Sequence, residues 1–111
     1  MIVALGDIYG QIPRREEVRE LMLATQERVR KQPGCISYEF AETLDDPAHF
    51  VVLQRWRDQE ALDEHYRSDA FVRYQEGMEN RLVRTSELHV YVVQESFLPL
   101  DSSVINTAHD D

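Results

Sequence analysis

Between Phe50 and Tyr74 the chain reads FVVLQRWRDQEALDEHYRSDAFVRY, which gathers an indole, an imidazole and two phenols into one short stretch. Histidine is the side chain whose ordinary pKa lies near neutral pH, so His65 is the residue expected to move a proton. Trp56, Phe71 and Tyr74 could wall an aromatic ligand, and Tyr66 or Tyr74 could donate a hydrogen bond to a ligand oxygen. Each has a structural alternative. His65 could instead cap helix carbonyls at an interface, Trp56 could anchor the core, and Phe71 and Tyr74 could serve only as packing.

Other candidates lie outside this stretch. Asp7 is a carboxylate in an otherwise apolar strand, which costs free energy unless it is paired or meets a polar space. It is expected either to line a pocket or to sit at a strand edge. Tyr38 and Phe40, or Glu39 on the opposite face, are further pocket candidates, the choice resting on which face of their strand turns inward. His49 and His89 read as interface or surface residues, and Cys35 as a buried strand residue without a neighbouring base. Glu16, Glu17, Glu20 and the arginines among them form a solvated helix face.

Composition restricts the function classes. A chain of 111 residues is expected to form one domain with a single core. Its formal net charge of -9 would repel phosphate backbones and anionic lipid, so neither nucleic acid nor membrane is an expected partner. A single cysteine excludes an intrachain disulfide and, with the histidine spacing, any zinc motif, so no metal site is expected. The N-terminus MIVALGDIYG has no basic leader, and no apolar run approaches a membrane span, so a cytoplasmic location is expected.

The elements that must position the candidates follow from periodicity. Ile2 to Tyr9 is apolar and β-rich and ends at Gly10, while Val18, Leu21, Met22, Thr25 and Val29 repeat at helical spacing. That helix is predicted from about Pro13 to Gln32, where Pro33-Gly34 stops it. Strands are predicted at Cys35 to Thr43, His49 to Trp56 and Ser86 to Phe97. Asp58 caps a short helix to about Tyr66, and Ser68 caps another whose Phe71, Tyr74, Met78 and Leu82 share a face. Residues 1–97 thus form the domain, and 98–111 read as an arm or flexible tail.

Strand, helix, strand, strand, helix, strand is the split βαβ order of an α+β, ferredoxin-like fold: a four-stranded antiparallel sheet with helices on one face. Yet the third strand is apolar on both sides, with Phe50, Val52 and Trp56 on one and Val51 and Leu53 on the other. A sheet half exposed to water would alternate apolar with polar. The uncovered face is therefore expected to meet the same face of a second copy in a homodimer.

Two segments carry a family resemblance. PGCISYEF at Pro33 to Phe40 and LQRWRDQEALDEHYRSDAF at Leu53 to Phe71 resemble the antibiotic biosynthesis monooxygenase family of dimeric α+β barrels. Trp56, Ala61, Leu62, His65, Ser68 and Phe71 match its pattern in order. The resemblance implies a pocket between the sheet and its own helices, where a small phenolic, quinol or polycyclic aromatic substrate is oxidised by molecular oxygen without cofactor. His65 is then the catalytic candidate, and Trp56, Tyr66, Phe71, Tyr74, Asp7 and Tyr38 the substrate-binding ones.

The chain departs from haem-degrading relatives of that fold. It has no Asn on the first strand, His65 stands where they carry a Trp, and no histidine occurs near Tyr74 and Gln75 to hold iron. Gln54 also replaces the acid of the common Glu-x-Trp strand ending. Two alternatives to the oxygenase remain in view: a non-oxidative isomerase of small carbonyl compounds, and a ligand-binding or stress-response module.

Overall fold

Side-chain parity along the strands decides where the core lies. The computed structural model describes residues 1–99 and gives β1 (Ile2–Tyr9), α1 (Arg15–Val29), β2 (Cys35–Glu42), β3 (His49–Trp56), α2 (Gln59–Arg67), α3 (Asp69–Met78) and β4 (Glu87–Val92). A 3-10 turn at Ile12–Arg14 precedes α1. The strands pair antiparallel throughout in the order β2-β3-β1-β4, with all three helices on one face. This is the predicted ferredoxin-like α+β arrangement. Most of the predicted tail, from residue 100 onward, lies outside the described residues.

On the helix side β1 buries Ile2, Ala4, Gly6 and Ile8, and β3 buries Phe50, Val52, Gln54 and Trp56. Val18, Met22, Thr25 and Val29 of α1 come down on this layer. The hydroxyl of Thr25, buried among them, donates to the Leu21 carbonyl at 2.7 Å and so is not left unsatisfied. Asp58 opens α2 by accepting from the Ala61 N–H at 2.9 Å, the main reason its carboxyl sits below the ordinary range. Ser68 then breaks the helical run with an extended backbone and opens α3.

Several boundaries differ from the predicted ones. Pro13 falls in the 3-10 turn rather than in α1, and α1 ends at Val29 because Lys31 and Gln32 tighten to bonds with Arg28 and Val29. Helix α3 stops at Met78, two residues before Asn80 adopts a left-handed φ of 68°. Strand β4 is only Glu87–Val92.

The opposite face carries Val3, Leu5, Asp7 and Tyr9 beside Val51 and Leu53, with His89 and Tyr91 across from β1. Leu5, Leu53 and Tyr91 are 39, 41 and 51% exposed there. Asp7 belongs to this face. It is neither on a pocket wall nor at a sheet edge, since β1 is flanked by β3 and β4. Its carboxylate is paired with His49 Nε2 at 2.7 Å, His49 stacks on Tyr9, and the Arg84 guanidinium lies 3.7 Å over the Tyr9 ring. The carboxylate is thus accommodated by a hydrogen-bonding partner across the strands.

One backbone position is tightly constrained. Gly34 has φ +80°, and a Cβ there would lie 2.5 Å from Ala61 Cβ, so the turn into β2 and the start of α2 share one small space. Gly34→Ala is expected to lower stability to urea by about 2 kcal/mol or more, from the left-handed backbone plus the collision. Adding Ala61→Gly should return the part due to collision and leave the backbone part.

Candidate functional site

A cavity of about 560 Å³ opens between the sheet and α3. Its floor is Gly6 and Ile8 of β1 and Val52 and Gln54 of β3. Tyr38 and Phe40 of β2, Tyr66 of α2, and Phe71 and Tyr74 of α3 supply the walls. Gly6 is required for the floor, because a Cβ would lie 2.9 Å from both the Leu88 and Val52 side chains. Exposed Glu76 and Glu79 stand at the mouth. The interior is therefore aromatic and apolar, and the rim acidic.

The rings hold one another. Tyr38 meets Phe40 edge-on at 5.5 Å, Phe40 stacks on Tyr74 at 5.5 Å, and Tyr66 meets Phe71 edge-on at 4.8 Å. Burial pushes the phenols of Tyr38, Tyr66 and Tyr74 up in pKa, so all three are neutral hydroxyl groups at ordinary pH. The Tyr66 hydroxyl is buried without a hydrogen-bond partner among the described residues.

His65 stands one layer behind this wall. It is 1% exposed and does not line the cavity. Trp56 stacks on it at 4.9 Å, and Tyr38, Tyr66 and Phe71 surround it at 5.4, 5.1 and 5.3 Å. Its Nδ1 is 2.9 Å from Gln32 Oε1. The Gln32 amide nitrogen donates to Ser68 Oγ at 3.0 Å, and Ser68 spends its one proton on the His65 carbonyl at 2.5 Å. This chain of donors fixes the tautomer: Nδ1 carries the proton and donates to Gln32, so Nε2 carries a lone pair. Nε2 has no partner.

Of the residues singled out in the sequence, Tyr38, Phe40, Tyr66, Phe71 and Tyr74 meet at the cavity, and Glu39 does not line it. Trp56 does not line it. It is fully buried, with its Nε1–H donating to Gln54 Oε1 at 2.9 Å, and so is the core anchor of its two readings. Gln54 is the lining residue that was noticed only as a departure from the family pattern. Its place on the wall was available from parity, since it alternates with Phe50, Val52 and Trp56 on the inward face. Val52, Leu82, Leu88 and Met78 also line the space, and only their apolar character marked them. Among the described residues no group of three His, Cys, Asp or Glu could hold a metal ion, and no helix is long and apolar enough to cross a membrane.

Comparison with known proteins agrees with this architecture. The antibiotic biosynthesis monooxygenase family matches residues 1–77. The chain belongs to that family. An uncharacterized protein of Synechocystis sp., sll1783, is 32% identical over 95 residues, covering 86% of this chain and 65% of its own length. The chain thus spans less than two thirds of that relative. Rv0793 from Mycobacterium tuberculosis is 25% identical with a TM-score of 0.79, covering 86% of this chain and 96% of that one. A Deinococcus radiodurans protein named for the family superposes with a TM-score of 0.83 at 20% identity, covering 87% and 96%.

The residues that carry the family pattern mostly build the layer behind the wall. Trp56 stacks on His65, Ala61 packs against Gly34, Leu62 is 1% exposed, and Ser68 both caps α3 and closes the Gln32 chain. Phe71 alone among them reaches the cavity. In this chain most of the matched pattern secures the scaffold.

Burial pushes the His65 imidazole down from 6.5 to about 4, so the folded chain keeps it neutral where the unfolded chain would protonate it. Its neutral state favours folding fully above the unfolded value, and that advantage is lost as pH falls from about 6.5 toward about 4. The shift corresponds to a loss on the order of 3 kcal/mol across that window. Urea unfolding at several pH values should show this acid slope in the wild type and a shallower one in His65→Gln. Equal slopes would mean that the ring is not held neutral.

Proposed function

We propose that this chain is an oxygenase that oxidises a small phenolic, quinol or polycyclic aromatic compound with molecular oxygen in the cavity beneath α3. The observation that carries this reading is the wall of five rings, Tyr38, Phe40, Tyr66, Phe71 and Tyr74, around a space of about 560 Å³. Small-molecule sites have volumes of about 300–1,000 Å³ and a mainly apolar lining with few polar groups. The family to which the chain belongs and the name of its Deinococcus radiodurans neighbour point the same way.

Such substrates supply their own electrons. A deprotonated anthrone transfers one electron to oxygen, and the radicals join at carbon as a hydroperoxide. Loss of water then leaves a carbonyl, with one oxygen atom in the quinone and the other in the water. The protein's part is to hold the rings, exclude bulk water and favour the anion. His65, behind the wall and with a depressed pKa, takes a positioning role in this reading rather than direct contact with substrate: it fixes the planes of Tyr38, Tyr66 and Phe71.

Oxygen-electrode measurements with anthrones and hydroquinones test the activity. Anthrone should be consumed with one equivalent of oxygen and give the anthraquinone, and Tyr74→Ala should raise KM by about tenfold through lost ring contact. Substrate that rearranges with no oxygen uptake would replace the oxygenase by an isomerase, and tight binding without turnover would replace it by a carrier.

The proposal extends to the assembly. A homodimer joined through the uncovered sheet face would bury Leu5, Leu53 and Tyr91, which water now reaches. Leu53→Asp is expected to convert the dimer to monomer in sedimentation velocity, because it would place two unpaired carboxylates in the joint. Wild-type protein that sediments as a monomer at micromolar concentration would remove this assembly.

A further inference from the structure

Gln54 is the one polar side chain from the sheet that reaches the cavity floor, and it is 3% exposed. An indole N–H is a donor only, so the bond from Trp56 Nε1 at 2.9 Å commits the amide oxygen of Gln54. The NH2 is left at the other end, on the side away from Trp56, and makes no hydrogen bond among the described residues. Gln54 and Tyr66 both line the cavity. Tyr66 Oη in turn is buried, lines the same cavity and has no partner. Both donors thus line one cavity, in which Tyr38 and Tyr74 supply further hydroxyls, and the buried Tyr66 hydroxyl left unpaired costs about 1–3 kcal/mol.

We infer that the Gln54 amide and the Tyr66 hydroxyl form a donor pair that receives the anionic oxygen of a phenolate, anthrolate or hydroxyquinone ligand. This rests on the cavity being the ligand site, as proposed above. The pair deepens that reading by naming the oxidation-competent form, because a phenolate gives up an electron far more readily than its phenol. Fixed dipoles in a dry pocket favour charge at that oxygen without reorganisation. Glutamine suits this task better than the acid of the common family pattern. Glutamate would keep an acceptor for Trp56 but present a second acceptor, or a charge, to the ligand oxygen. The acidic rim of Glu76 and Glu79 implies that the ligand enters as the neutral phenol and ionises inside, its proton leaving through the open mouth. Thr85 and Ser86 are exposed to solvent, so their hydroxyls do not carry the cost of a buried unpaired donor.

The test uses two probes: 2-hydroxyanthraquinone, whose absorbance changes on ionisation, and anthracene, which has no oxygen. Dye bound to the wild type is expected to ionise at least about one pH unit below free dye, a tenfold preference for the anion. Gln54→Glu should move the ionisation to or above that of free dye, and Tyr66→Phe, which removes only the unpartnered oxygen, should remove part of the preference. Anthracene should bind all three proteins within about twofold, showing an intact cavity. If anthracene binds but wild-type protein does not lower the ionisation of the dye, or Gln54→Glu lowers it equally, the donor pair is overturned and the cavity reading survives. If neither probe binds the wild type, both fall.

Discussion

The neutral, sealed ring of His65 is the constraint on which the rest of the site depends. Its Nδ1 proton goes to Gln32 at the exit of α1, and Gln32 goes on to Ser68 between α2 and α3. Ser68 returns to the carbonyl of His65 itself. One closed set of hydrogen bonds therefore joins three helices, while the ring face stacks on Trp56 of the sheet. A protonated imidazole in this place would need a counter-charge, and none of its ring neighbours offers one. The depressed pKa and the rigidity of the wall are consequences of the same burial.

That burial also separates two tasks which the sequence presents together. Trp56, His65, Tyr66 and Phe71 lie close along the chain, and proximity alone suggests a common site. The helical turn resolves them: His65 points back at Trp56 and is enclosed, whereas Tyr66 and Phe71 turn their surfaces to the cavity. A histidine at ordinary pKa is well placed to move protons. Once desolvated to about 4 it is a weak base at neutral pH, better suited to holding its neighbours than to competing for a phenol's proton.

Element types and the split βαβ order were legible from periodicity and the succession of elements, whereas the inward face of β3 was not, because that strand is apolar on both sides. Phe50, Val52 and Trp56 could be assigned to one face before any coordinates, and they occupy it. Side-chain partners were not legible in the same way. Asp7 looked anomalous in an apolar strand, but the answer to the anomaly, His49, is remote in sequence and meets it only through the β1–β3 register. Gln54 shared the inward parity, yet its significance depends on an atom-level fact, the use of its oxygen by Trp56. Helix ends were misjudged where local geometry overrode periodicity, as at Pro13 and Asn80.

Strand β4 connects the cavity to the proposed assembly. Leu88 on its inner side belongs to the cavity lining, and His89 and Tyr91 lie on the uncovered face. All six of its residues are exposed, and its ladder runs along β1 alone. A strand supported on one edge is the part of a sheet most able to shift. In the proposed dimer the partner's sheet would press on Tyr91 and so restrain the strand that carries Leu88. Ligand binding would then act on the same strand from the inside. By linkage, a ligand that orders β4 tightens the subunit joint by the same factor by which the joint tightens ligand binding.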